Sequence, residues 1–301
     1  MHNVIQELKA AGIGEVREDE PMHKHTTWRI GGPADCLIVP DTTEQLTAAL
    51  DIIRRRQVPW FVLGKGSNTL VTDKGIRGVV IKLGEQFDTV RFDGETVHAG
   101  ASYSFVRLSW EAAKKGLTGL EFAGGIPGTV GGAVYMNAGA HGSDVSRILI
   151  KAEVLLENGE LATYTVDDMR YSYRHSVLQE KGGIVLSATF RLAYGDRKEI
   201  AAAMASFKER RTKTQPLNQK CAGSVFRNPP NHYAARLIES CGLKGMRIGG
   251  AEVSTLHANF IVNTGNATAE DVLTLIDHIQ RTVRETKGIQ LVPEVLVVGE
   301  R

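Results

Sequence analysis

Apolar and polar positions keep different rhythms in different stretches of this chain. Near the start, a short amphipathic pattern over 1–14 predicts a helix and 35–39 predicts a strand. Thr42 then reads as the N-cap of a helix that puts Leu46, Ala49, Leu50 and Ile53 on one face. A strand at 60–63 runs straight into Gly64, Lys65, Gly66, Ser67 and Asn68, so the opening segment resembles a small α/β unit ending near Asp73. From residue 78 to 192 the runs shorten to strand length, at 79–83, 88–92, 95–99, 148–156, 160–166 and 184–192. Asp93-Gly94 and Asn158-Gly159 separate neighbouring runs as hairpin turns. A helix over 102–115 and a glycine-dense stretch over 119–142 interrupt this mostly β region. Helical spacing returns with a charged helix over 199–211 and with Val272, Ile276, Ile279 and Val283, before a closing strand over 291–298. Shorter pieces around Ser224, 233–241 and 260–262 complete an α+β pattern. The expected fold is therefore α+β in three parts, 1–74, 75–195 and 196–301, without an internal repeat.

Composition narrows the partners. At 301 residues, with 42% hydrophobic and 23% charged positions, the chain has ordinary globular usage and the length for more than one packed domain. Lys plus Arg is 36 against 34 for Asp plus Glu, too small a surplus to attract nucleic acid or an anionic membrane. Cys36, Cys221 and Cys241 are odd in number, widely spaced and form no C-x-x-C pair, which argues against a disulfide framework or a zinc site. The nine histidines form no metal-ligand spacing, so no metal is expected. Neither a signal sequence nor a membrane-length apolar run stands out, and the expected location is the cytoplasm.

Two glycine clusters carry the candidate chemistry. The 64–68 segment follows a strand and can turn several backbone N–H groups toward an anion; it can equally be an ordinary tight turn. It matches neither G-x-G-x-x-G, because Thr69 stands at the last glycine, nor the P-loop pattern. Gly124-Gly125-Ile126-Pro127-Gly128-Thr129-Val130-Gly131-Gly132-Ala133 is denser, and so much glycine is costly to order unless a ligand offsets the lost entropy. A compact Ω-loop is the alternative.

Together with Thr27-Trp28-Arg29-Ile30-Gly31-Gly32, these loops resemble the FAD-binding region of the vanillyl-alcohol-oxidase/PCMH flavoprotein superfamily. Three later segments, 171–176 (Tyr-Ser-Tyr-Arg-His-Ser), 222–229 (Ala-Gly-Ser-Val-Phe-Arg-Asn-Pro) and 291–295 (Leu-Val-Pro-Glu-Val), are similar to the catalytic motifs of the UDP-N-acetylenolpyruvoylglucosamine reductase (MurB) family, in that family's order. The resemblance spans nearly the whole chain. Between Tyr173 and Ser224 there is no room for the extra substrate-capping loop of one subgroup, so the chain resembles the shorter type.

The resemblance implies a two-part FAD-binding region of PCMH type followed by a C-terminal α+β substrate-binding domain. It implies NADPH as reductant and a UDP-sugar carrying an enolpyruvyl ether as substrate, with no obligate protein partner. For FAD it implicates Leu63, Gly64, Lys65, Gly66, Ser67, Asn68, Thr69, Gly124, Gly125, Ile126, Gly128, Thr129, Gly132, Ala133, Asn137, Gly139 and Ile184. It assigns catalysis to Arg174, Ser224 and Glu294. An always-charged guanidinium suits Arg174 to a substrate carboxylate and the enolate growing beside it. Ser224 would protonate C2, and Glu294, next to that carboxylate, would share a proton. Lys213, in the basic run 208–213, is the pick for the diphosphate, with Arg227 and Asn228 as further substrate contacts or as caps of local structure. The rival readings are an oxygen-using oxidase of the same superfamily and an FAD- or nucleotide-binding module without turnover.

Overall fold

The computed structural model describes all residues, 1–301. Its backbone contacts divide it into two compact units, each assembled from three stretches of chain. The first comprises Met1–Glu18, Cys36–Gly64 and Gly78–Arg210; the second comprises Asp19–Asp35, Lys65–Arg77 and Arg211–Arg301. Division by chain order into 1–74, 75–195 and 196–301 cannot express such interleaving.

In the first unit a five-stranded antiparallel sheet runs in the order Leu161–Thr165, Leu149–Leu155, Ile184–Arg191, Thr96–Gly100, Val90–Asp93. Both hairpins expected from Asp-Gly and Asn-Gly form. Asp93 pairs with Thr96 around Gly94 at φ 58°, and Leu155 pairs with Leu161 around Gly159 at φ 87°, dihedrals that glycine adopts without strain. Side chains alternating along the sheet, Val97, Ala99, Ala152, Val154, Ala188 and Phe190, are fully or almost fully buried. They share a core with the helix Phe105–Lys114, whose N-cap Ser104 accepts the Arg107 N–H. A second core forms between the helices His2–Ala10 and Thr43–Arg55 and the parallel strands Trp60–Val62 and Ile76–Ile81. Leu46, Ala49, Leu50 and Ile53 are buried on the helix face that their spacing marks.

The second unit packs a small antiparallel sheet, Arg247–Ile248, Ala251–Val253 and Ile261–Asn263, against the long helix Ala269–Lys287. Val272, Leu275, Ile276, Ile279 and Val283 line its buried face, each worth about 1.5–3 kcal/mol relative to exposure. A capping box joins Thr268 to Asp271, and the Asp73 carboxylate accepts the N–H groups of Ala269 and Glu270, so the first turn's orphan donors are satisfied. Trp28 is fully buried in this core and donates its indole N–H to the Ile261 carbonyl at 2.8 Å. The chain closes with Leu296–Val298 parallel to Thr69–Val71. Within the expected strand 291–298 only this end is regular; ahead of it Pro293 meets Phe226 by a single isolated bridge.

Candidate active site

In the first unit, the Arg174 segment is fastened to the glycine-rich stretch that precedes it. Residues 172–175 form a tight turn in which Ser172 and His175 exchange backbone hydrogen bonds of 3.1 and 3.2 Å, leaving Tyr173 and Arg174 at its tip. Side chains from both partners then cross the gap. Tyr171 donates to the Val134 carbonyl (2.9 Å), Ser176 and Gln179 to the Tyr135 carbonyl (2.6 and 3.2 Å), and Asn137 to the Ser172 carbonyl (3.0 Å). Burial pushes the Tyr171 phenol far up, so it stays a neutral donor. Arg174 itself donates Nη2–H to the Gly139 carbonyl at 2.7 Å and lies 5.1 Å over the exposed Tyr173 ring. Its φ of 56° is in the left-handed region, an arrangement that a long side chain keeps only where its surroundings enforce it. Asn137 shares that trait, with φ 45°.

Gly64, the first residue of the earlier glycine cluster, meets the later cluster within the first unit: a Cβ on Gly64 would stand 2.9 Å from Thr129 Oγ1, so its backbone approaches that side chain more closely than a side chain of its own would allow. Gly124 and Gly125 end the short 3₁₀ turn Glu121–Gly125, and Ile126 and Gly128 lead to Thr129, whose hydroxyl accepts the Gly132 N–H and caps the short helix Val130–Tyr135. Gly132 is exposed, and a Cβ there would meet nothing nearer than Thr129 Oγ1 at 3.4 Å. Ala133, Leu63 and Ile184 are buried. Side-chain-free backbone beside the Thr129 hydroxyl leaves room for the close approach of an extended cofactor such as FAD. Gly64, the 124–133 loop, Asn137 and Gly139 would hold it.

Three of the remaining candidate segments come together in the second unit. Val225 and Arg227 flank a bridge between Phe226 and Pro293: the Glu294 N–H donates to the Val225 carbonyl at 2.7 Å and the Arg227 N–H to the Val292 carbonyl at 2.9 Å. The serine and glutamate motifs, far apart in sequence, are therefore paired backbone to backbone. Asn68 joins them, donating from Nδ2 to the Glu294 carbonyl at 3.2 Å, and its own carbonyl accepts the Leu296 N–H. Ser224, Arg227 and Glu294 are half-buried and Gly223, at φ 74°, turns the chain just before the serine. Gly66 and Thr69 are buried, Ser67 half-buried and Lys65 exposed.

Other substrate candidates are placed differently. Asn228 accepts the Ala234 N–H at 3.0 Å, which commits its carbonyl to the start of the helix Ala234–Ser240. Lys213 is exposed in the last turn of Arg197–Thr214. Arg211, in the same basic run, is half-buried; burial draws it below the ordinary guanidinium range and its Nε has no hydrogen-bond partner. Arg227 Nε is also buried and unpartnered. Sequence patterning passed over Asn259, whose buried side chain grips Phe226, because nothing in a lone asparagine marks it off from a turn residue.

A family model described as UDP-N-acetylenolpyruvoylglucosamine reductase, C-terminal domain, matches residues 215–298, and one described as FAD binding domain matches 34–165. The chain is 52% identical over 300 residues to the UDP-N-acetylenolpyruvoylglucosamine reductase of Bacillus subtilis, covering 99% of each chain. It is 49% identical over 301 residues to that of Halalkalibacterium halodurans, covering 100% of each. Among solved structures, the reductase (MurB) from Thermus caldophilus superposes with a TM-score of 0.81 at 39% identity, over 94% of this chain and 98% of that one. A berberine bridge enzyme variant shares the fold alone, with a TM-score of 0.51 and 13% identity over 64% of this chain and 44% of the other. No helix is long and apolar enough to cross a membrane.

Proposed function

Since this chain belongs to the UDP-N-acetylenolpyruvoylglucosamine reductase family of flavin-dependent oxidoreductases, we propose that it reduces the enolpyruvyl ether of UDP-N-acetylenolpyruvoylglucosamine to the lactyl ether of UDP-N-acetylmuramate. FAD is the bound cofactor, NADPH the reductant, and the setting is peptidoglycan precursor synthesis in the cytoplasm. Full-length identity of 52% to reductases of that name carries this reading. Held by Gly64 and the 124–133 loop, FAD would supply two-electron chemistry between NADPH and C3 of the enolpyruvyl group.

Hydride addition at C3 leaves enolate charge spread from C2 into the carboxylate. Arg174 answers that charge: its guanidinium is held by the bond to Gly139, and its turn by the Tyr171, Ser176, Gln179 and Asn137 side chains, so little reorganisation is needed as charge develops. Ser224 gives its hydroxyl proton to C2, where orientation counts for more than acidity. Glu294, held in register with the serine segment, completes the proton-sharing group beside the carboxylate. Arg211, Lys213 and Arg227 supply positive charge for the diphosphate.

Rapid mixing tests this assignment. NADPH should bleach the flavin of Ser224→Ala at close to the normal rate, and reoxidation by the enolpyruvyl substrate should slow by roughly the 10²–10⁴-fold typical of a lost general acid. Slow bleaching with fast reoxidation would remove Ser224 from the role of proton donor.

A further inference from the structure

The backbone that carries Ser224 is held from both sides, and one side is a side chain. Phe226 and Pro293 oppose each other as a non-hydrogen-bonded antiparallel pair, flanked by Glu294 N–H to Val225 C=O (2.7 Å) and Arg227 N–H to Val292 C=O (2.9 Å). In that register Pro293 forfeits nothing, because its missing N–H would point away from Phe226. The N–H and C=O of Phe226 likewise point away from Pro293, toward Asn259. Asn259 Oδ1 accepts the Phe226 N–H at 2.9 Å, and its Nδ2 donates to the Phe226 carbonyl at 2.8 Å. Its backbone carbonyl accepts the Val225 N–H at 2.8 Å. One residue thereby does for 225–226 what a neighbouring strand would do.

Asn259 is itself fixed. It is 4% exposed, and its N–H donates to Nδ1 of His257, whose ring packs edge-on against Phe260 with centroids 4.8 Å apart. The loop closes through Ser254 N–H to the Phe260 carbonyl at 2.8 Å.

We propose that Asn259 is a positioning residue for proton transfer: its amide sets the place of Ser224 and, through the shared bridge, of Glu294. This rests on the assignment of Ser224 as proton donor. An amide is the side chain suited to the task, since it offers one donor and one acceptor to the C=O and N–H of one residue. Without it that side of the 225–226 backbone keeps only the Val225 N–H to the Asn259 backbone carbonyl, and a shift of about 1 Å at a reacting group lowers rate by roughly 10²-fold.

The test compares wild type, Ser224→Ala, Asn259→Ala and Asn259→Asp, each loaded with FAD. Asn259→Ala should be reduced by NADPH within about twofold of the wild-type rate, and its reoxidation by the enolpyruvyl substrate should slow about 10²-fold. In cofactor-free protein the Val225 and Phe226 amides should exchange faster with D2O. Asn259→Asp puts a carboxylate oxygen against the Phe226 carbonyl, so reoxidation should be slow at neutral pH and recover as pH falls and the acid regains an O–H donor; this arm stands if the alanine variant does not fold. Normal reoxidation by Asn259→Ala beside a slow Ser224→Ala would overturn the role of Asn259 alone. Equal slowing of both half-reactions would also overturn it, since that marks general loosening. Normal reoxidation by Ser224→Ala would instead overturn the underlying assignment.

Discussion

His257 accepts the Asn259 N–H at Nδ1, a bond open only to a ring with that nitrogen unprotonated. Burial, reinforced by Lys244 and opposed by its own backbone hydrogen bond and Glu239, holds it below its ordinary value of 6.5. As pH falls through 6.5 the unfolded chain therefore takes up a proton before the folded one does. Stability attached to this residue is whole above 6.5, declines between 6.5 and the depressed native value, and then levels off. Urea midpoints of wild type and His257→Gln measured from about pH 7.5 to about 5 should diverge at the acid end, with the wild type losing more. Parallel curves would mean that His257 charges freely in the fold. The motif around Arg174 stands out in the sequence, while its left-handed backbone and the tether to Gly139 do not, because both depend on segments that meet only after folding.

At the scale of elements, the glycine clusters hold two kinds of glycine that a sequence cannot tell apart. Gly66 has φ 61°, and a Cβ there would lie 2.4 Å from the His25 carbonyl oxygen and 2.8 Å from Thr26 Cα, so it is required by the fold. Gly132 lies exposed in a helix, where a Cβ would make only an ordinary contact with Thr129 Oγ1 at 3.4 Å. Gly66→Val should destabilise the protein by at least about 2 kcal/mol in thermal or urea unfolding. Gly132→Val should leave unfolding unchanged or slightly improved and yet weaken FAD binding at least about tenfold, read by flavin fluorescence on titration. Undiminished FAD affinity in Gly132→Val would mean that the cofactor does not lie against that turn. Amphipathic helices and Asn-Gly or Asp-Gly hairpins were legible because their signals are local. The strand Glu15–Pro21 was not: Glu15, Arg17, Glu18, Asp19 and Glu20 leave no apolar alternation, and pairing rather than patterning makes it a strand.

For the whole molecule, the interleaving of the units decides what can be cut out. The core of the second unit takes Trp28, Ile30 and Leu70 from the early chain, beside residues of 211–301. Thr27 and Asn263 tie the same stretch down, Thr27 Oγ1 donating to the Cys221 carbonyl at 2.7 Å and Asn263 Nδ2 to the Trp28 carbonyl at 2.9 Å. A fragment 211–301 leaves a cavity where a buried tryptophan stood, and loss of such a side chain alone costs about 3–5 kcal/mol. That is most of what a small domain has. The fragment should show no cooperative thermal transition by circular dichroism, and a sharp melt would show the C-terminal stretch to be self-sufficient. Domain boundaries drawn along the sequence are blind to this, since the Thr27–Gly32 motif reads as a cofactor-region signature while its tryptophan serves the other end of the chain.

The pairing of Leu296–Val298 with Thr69–Val71 also has a timetable. Thr69, Leu70 and Val71 are all buried when finished, and the strand that lies alongside them is synthesised more than two hundred residues later. At about 5–20 residues per second a ribosome leaves that edge waiting for roughly 10–50 s, with its apolar side chains and unpaired peptide groups open to whatever is nearby. Completion of the second unit thus waits for residue 296 to be made, and a nascent chain stalled short of it presents a sticky edge to chaperones and to its neighbours on the same message.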